Sequence, residues 1–142
     1  MLVTMKVEIV AGSKEKWEVD KGTGELKLDR VIEIPYPYNY GYIKGTLAED
    51  NDQLDVFLIG TSDKLIPGST IEVEVRNIIE MIDNDEVDHK IIAALPNTLI
   101  KFHETDKVKK FLMDYKTGVV VGRCLGPAAA EEYVKFCRER NK

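Results

Sequence analysis

Apolar and polar residues alternate along much of the first two thirds of the chain, the signature of strands with one buried face. Val7, Ile9 and Ala11 keep this two-residue period. Trp17 and Val19 repeat it, and Leu26 and Leu28 resume it after the turn Lys21-Gly22-Thr23-Gly24. The pattern predicts a β-hairpin whose glycines supply positive φ angles. Asp55–Gly60 reads as a buried strand, Ser69–Ile82 as a long β-branched strand and His89–Leu95 as another. The period then changes. Val108, Phe111, Leu112 and Tyr115 fall at helical spacing and predict a helix over 106–116, capped by Thr105 or Asp106 and ended by Gly118. Val119–Val121 predicts a short strand. Gly126-Pro127 opens a last helix with Ala129, Tyr133, Phe136 and Cys137 on one face.

Strands followed by a few helices predict an α+β fold, and a small β-barrel closes such a sheet without leaving edges. The 142 residues fit one domain, 1–142. At 44% hydrophobic and 32% charged, the composition is that of an ordinary globular chain. The net charge of -5 argues against nucleic acid or an anionic membrane as main partner. An anionic substrate stays open, because bound cations can invert the local field. Cys124 and Cys137 stand in no metal-ligand spacing and read as thiols of a reducing cytoplasm. No charged segment followed by an apolar run suggests a leader, and the apolar stretch Ile91–Leu95 is too short to span a bilayer.

Two acidic stretches carry the candidate chemistry. Asp50, Asp52 and Asp55 fall in a D-x-D-x-x-D spacing just before an apolar strand, and Asp83, Asp85, Glu86 and Asp88 follow another. Two such turns can converge in space, and hard divalent cations take oxygen ligands of this kind. Alone, each stretch also reads as a solvated acidic loop. A calcium loop of the EF-hand type is excluded on residues. The sixth and twelfth positions are Asp55 and Thr61 counted from Asp50, and Asp88 and Ala94 counted from Asp83.

Tyr36, Tyr38, Tyr40 and Tyr42 alternate along one segment, either as a core stripe or as phenol donors to phosphate oxygens. Lys16, Arg30, Lys90, Tyr115 and Lys116 are cations and a phenol that no local pattern requires. With the carboxylates they would make a mixed site suited to phosphoryl transfer, where catalysis is positioning and charge neutralisation.

Taken together, the segments VEI (7–9), KWEVDKGTGELKLDR (16–30), YPYNYGYIKGTL (36–47), EDNDQLDV (49–56) and DYK (114–116) resemble family I soluble inorganic pyrophosphatases. The resemblance covers nearly the whole chain. It implies a five-stranded OB-like barrel with flanking helices and a C-terminal helix. It further implies hydrolysis of pyrophosphate to two orthophosphates with several Mg²⁺ ions per site, for which Mn²⁺ or other divalent metals can substitute. By the same resemblance Asp50, Asp55, Asp83 and Asp88 match metal ligands, and Glu8 serves a further ion through water. Asp52 matches the proton acceptor for the attacking water. Lys16, Arg30, Tyr40, Lys90, Tyr115 and Lys116 match phosphate-holding residues, with Glu18 and Tyr36 supporting. A homo-oligomer, a hexamer by analogy with bacterial members, and a cytoplasmic location are expected. The chain departs from the family's usual D-G-D-P-x-D at Asn51 and Gln53, and has Asn84 where an acid is common. Asn tolerates the left-handed conformation that Gly would supply. The alternatives are a catalytically weak relative that binds metal and phosphate without turnover, and an OB-like binding module. His103 reads as a loop residue, and His89 as pointing away from the acidic cluster.

Overall fold

The computed structural model describes residues 1–20 and 22–142. Five strands close into a ring. They are β1 (Leu2–Ile9), β4 (Asn39–Ile43), β5 (Asp55–Ile59), β8 (Lys90–Ala94) and β6 (Thr70–Asp83). Their order is β1-β4-β5-β8-β6, and β1 pairs back onto β6 to complete the barrel. Every pairing in the ring is antiparallel except β5–β8, which is parallel, with Val56 beside Ile91. The 14-residue β6 outruns the barrel. Its first half pairs with β1, and its second half with β9 (Val119–Leu125) and β7 (Glu86–Val87). The hairpin β2 (Glu15–Val19) and β3 (Leu26–Val31) forms a separate two-stranded sheet. This is the expected hairpin, with Gly24 at φ 75° in its turn. Lys21, the first residue of the expected turn, lies outside the described residues.

The alternation in the strands sorts side chains into two cores. Val56 and Leu58 of β5, with Ile91 and Ala93 of β8, face the barrel interior together with Val3, Met5, Val7 and Ile43. The C-terminal helix α2 (Pro127–Arg140) covers this core with Ala130, Val134 and Cys137. Phe57, Ile59 and Ile92 point the other way, toward Tyr36, Tyr38 and Tyr40 and the helix α1 (Phe102–Asp114), which contributes Val108, Phe111 and Leu112. Strands β5 and β8 are buried on both sides, which explains their unbroken apolar runs.

Three expectations shift. The first helix begins at Phe102, about a turn before the predicted start, because Glu104 caps it. One carboxylate oxygen of Glu104 accepts from the Lys101 N–H at 3.0 Å and the other from the Gly60 N–H at 3.1 Å. His103 is therefore helical and not a loop residue. The last helix buries Ala130, Val134 and Cys137, whereas Phe136 is exposed and Ala129 and Tyr133 are half-buried, so the apolar face sits one residue round from the predicted one. Strand β9 runs on to Leu125, past the predicted Val121.

The barrel is closed most tightly at Gly41. A Cβ built there would overlap the Lys6 carbonyl oxygen and lie 2.9 Å from its carbon and 3.2 Å from the Glu8 nitrogen. This is where β1 changes register between Val7 and Ile9. Backbone cannot give way as a flexible side chain can, so Gly41→Ala is expected to destabilise the fold by about 3 kcal/mol. Chemical denaturation checks this through a lowered midpoint with an unchanged slope.

Candidate active site

The register of the barrel brings the two acidic stretches together. Because β5 and β8 run parallel with Val56 beside Ile91, the residues just before them, Asp55 and Lys90, emerge at the same end. Lys90 is 3% exposed. Its ammonium donates to Asp55 at 2.5 Å, to both carboxylate oxygens of Asp88 at 3.1 Å, and to the Tyr40 hydroxyl at 3.3 Å. Burial alone would push the Lys90 pKa down, but Asp55 and Asp88 outweigh it and hold the group well above the ordinary lysine value.

The second acidic stretch is a tight hairpin. Ile82 pairs with Val87 and Asp83 with Glu86, leaving Asn84 and Asp85 as a two-residue loop at φ 48° and 69°. Both central residues in the left-handed region make the turn type that suits strand twist, and Asn is among the few side chains that tolerate it. The hairpin returns Asp83 and Asp88 to the same side. The Lys116 ammonium forms a close ion pair with Asp83.

These groups line a cleft of about 300 Å³. It gathers Glu8 from β1, Lys16 and Glu18 from β2, Tyr36, Tyr40, the aspartates 50, 52, 55, 83 and 88, Lys90, Tyr115 and Lys116. Of the residues that the family resemblance assigned to the site, Arg30 alone is not in the wall. It stands across β2–β3 from Lys16, 42% exposed in its side chain and 4.0 Å from Asp29, at the edge of the cleft. Asp85 and Glu86 also stay outside the wall. His89 does point away: its Nδ1 accepts from the Met81 N–H at 3.0 Å and its ring packs on Tyr133.

Trp17, Val19, Tyr42 and Gln53 line the cleft too, and sequence reasoning missed them. Four successive residues of β2, Lys16 to Val19, reach the cavity, and the register shift between Lys16 and Trp17 breaks the strict alternation at the first two of them. Tyr42 carried a signal as the last member of the tyrosine stripe, and Gln53 as a departure inside the aspartate loop.

The electrostatics follow from crowding. Burial pushes the Glu8 carboxyl up to about 7. The Val19 N–H, which it accepts at 3.1 Å, works the other way, and Asp55 adds to the rise. Burial also raises Asp50, to about 6, against the opposing Asp52 N–H, while Asp88 and Asp55 repel its charge. Burial likewise raises the phenols of Tyr36, Tyr40 and Tyr115 above the ordinary tyrosine value, and they keep their O–H protons at neutral pH as unburied phenols also do. The cleft thus sets many carboxylates beside ammonium and phenol donors, and burial raises two of those carboxylates, Glu8 and Asp50.

The carboxylates fit a hard cation in chemistry, because all their donors are oxygen. Among the described residues, no three His, Cys, Asp or Glu side chains stand close enough to grip one ion together. Mg²⁺ takes only one or two carboxylates and keeps several waters, so it needs no such trio. Burial first, and repulsion from Asp88 and Asp55 second, raise Asp50, and a divalent cation there would offset both.

A family profile described as inorganic pyrophosphatase matches residues 5–142. The chain is 36% identical over 146 residues to a soluble inorganic pyrophosphatase of Zea mays, covering 92% of this chain and 68% of that one. It is 35% identical to soluble inorganic pyrophosphatase 3 of Arabidopsis thaliana, covering 96% and 70%. These plant relatives are therefore longer than this chain. Among solved structures, the inorganic pyrophosphatase of Thermus thermophilus superposes with a TM-score of 0.91 at 31% identity, over 99% of this chain and 91% of that one. Profile, relatives and barrel agree, and the chain belongs to the inorganic pyrophosphatase family of enzymes.

Proposed function

We propose that the chain, acting as one catalytic domain, hydrolyses inorganic pyrophosphate to two orthophosphates in a Mg²⁺-dependent reaction. The observation that carries this reading is a single cleft lined both by the carboxylates of Glu8, Asp50, Asp52, Asp55, Asp83 and Asp88 and by the donors Lys16, Lys90, Lys116, Tyr40 and Tyr115. Asp50, Asp55, Asp83 and Asp88 would hold the ions, and Glu8 would serve a further one through water. When bound, Mg²⁺ supplies charge neutralisation for pyrophosphate and activates the attacking water. Asp52, exposed at the tip of its loop, takes the proton from that water on a carboxylate oxygen. Lys16, Lys90 and Lys116 meet the charge of the phosphate oxygens, with Arg30 approaching from the edge. The phenols of Tyr40 and Tyr115 donate to the same oxygens, and Glu18 and Tyr36 support them. Lys116 is already paired with Asp83, and Lys90 with Asp55 and Asp88. Substrate and cations together would exchange these contacts for lysine–phosphate and carboxylate–cation ones, which keeps the charges paired throughout.

The chain has no helix long and apolar enough to cross a membrane among its described residues. A cytoplasmic location accords with the relatives, which are named soluble. A homo-oligomer, a hexamer by family resemblance, accords with exposed Phe102, Met113 and Val120 on the packed pair α1 and β9. Light scattering at micromolar concentration is expected to give a multiple of the 16.1 kDa chain mass; a monomer would refute assembly.

Phosphate release from pyrophosphate, with and without Mg²⁺, tests the function directly. Release is expected only with the metal, and its absence in both conditions removes the reading. Asp52→Asn should lower turnover by roughly 10²–10⁴-fold, the range for losing a positioned base, while leaving Mg²⁺ half-saturation close to wild type. Full rescue of this variant by excess Mg²⁺ would make Asp52 a ligand instead. Lys116→Ala should lower turnover by about 10²-fold, the scale of one lost preorganised donor, with a smaller change in Mg²⁺ affinity. Equal losses in both would leave Lys116 as a structural partner of Asp83.

A further inference from the structure

The aspartate loop is gripped from outside the cleft by the end of α2. Arg140, in the helix's last turn, donates from Nε to the Leu47 carbonyl at 3.2 Å. Its Nη2 donates to the Ala48 carbonyl and to the Asn51 side-chain oxygen, both at 3.3 Å. The guanidinium also lies over the Phe136 ring, its Cζ 5.9 Å from the centroid. Two further bonds join helix to loop. The Leu47 N–H donates to the Cys137 carbonyl at 3.0 Å, and the Tyr133 hydroxyl to Glu49 at 3.2 Å.

Inside the loop these anchors lead to the acidic residues. The Ala48 N–H donates to the Asp52 carbonyl at 2.7 Å, and the Asn51 N–H to the Ala48 carbonyl at 3.0 Å. The Asp52 N–H in turn donates to the Asp50 carboxylate at 3.1 Å. Asn51 sits at φ 67°, a conformation that favours Gly. A Gly at 51 would satisfy the backbone and give Arg140 one acceptor fewer. The next departure, Gln53, gives up the fixed φ that Pro would bring. Asn51 therefore combines the left-handed turn with a tether to the helix.

We propose that Arg140 is a positioning residue that, through Asn51 and the carbonyls of Leu47 and Ala48, fixes the geometry of Asp50 and Asp52. The proposal rests on the function given above for those aspartates. A planar fork of donors suits three acceptors spread along one loop, whereas a lysine offers a single point charge. A loop held at its base this way keeps Asp50 and Asp52 aimed from outside the cleft, and the helix that covers the barrel core becomes part of the catalytic support.

Amide hydrogen exchange on the metal-free protein tests the latch without relying on activity. In Arg140→Ala the amides of Ala48 and Asn51 are expected to exchange at least about tenfold faster, the scale of losing one or two hydrogen bonds to a charged group. Amides of Phe57 and Ile92 in the barrel should keep their protection. Turnover should fall about tenfold and the Mg²⁺ concentration for half-maximal rate should rise, while KM for magnesium pyrophosphate at saturating Mg²⁺ stays within about twofold. Asn51→Gly, which leaves the helix intact, should reproduce part of each effect. Added to Arg140→Ala, it should cost less than it does alone, because the two residues share one bond. Unchanged exchange at Ala48 and Asn51 in both variants, or fully additive losses, overturns the latch. If Arg140→Ala does not fold, Asn51→Gly and Arg140→Lys carry the same measurements. A wild-type protein that releases no phosphate would refute the functional reading, and the exchange comparison would still decide the latch.

Discussion

A buried ammonium, that of Lys90, holds the carboxylates of Asp55 and Asp88 at the adjoining ends of two strands. Taking such a charge out of water costs several kcal/mol, and the cost is met only because two carboxylates and a phenol meet it at once. The arrangement depends on β5 and β8 being parallel. Were they antiparallel, Asp55 would lie beside the far end of β8, and Lys90 would be stranded in an apolar barrel wall. The single parallel pairing in the ring is therefore tied to the chemistry of the cleft. Removing one charge from this triad exposes the others to uncompensated burial, so geometry and electrostatics there stand or fall together.

Around that triad, burial shapes the electrostatics of Glu8 and Asp50. The phenols nearby lie in the core under α1, where Tyr36 packs on Phe111 and Tyr40 on Phe57. The same tyrosines pack through their rings and line the cleft. Of the two readings that the alternating pattern left open, burial of Tyr36, Tyr38 and Tyr40 bears out the core stripe. Glu8 connects the barrel to the separate hairpin by accepting from Val19, so the cleft wall formed by β2 is fixed to β1 through a carboxylate that itself lines the cavity.

Much of this was legible in the sequence because periodicity and turn chemistry are local. The strand runs around 55–60, 69–82 and 89–95 and the turn at Asn51 announced themselves, and the Asn51 backbone occupies the left-handed region as its chemistry allows. What escaped depends on partners distant in sequence. The start of α1 at Phe102 requires Glu104 to cap the helix and at the same time receive the Gly60 N–H, forty-four residues away. The buried face of α2 is chosen by the shape of the barrel mouth, and the apolar pattern of the helix offered Phe136 as readily as Val134. The bulge in β2 that turns Trp17 toward the cleft leaves no mark in composition. Arg30 carried the right chemistry for the wall, but its strand leaves it at the edge.

Closure of the ring between β1 and β6 also fixes the order in which the molecule can be built. The hairpins β2–β3 and β6–β7 join near neighbours and can form early, whereas Glu8, Asp55, Asp88 and Lys116 meet only after segments up to a hundred residues apart have docked. Docking of β5 beside β8 brings Asp55 and Asp88 together and seats Lys90 between them in the same step, so the contact that concentrates these two negative charges also supplies the charge that balances them.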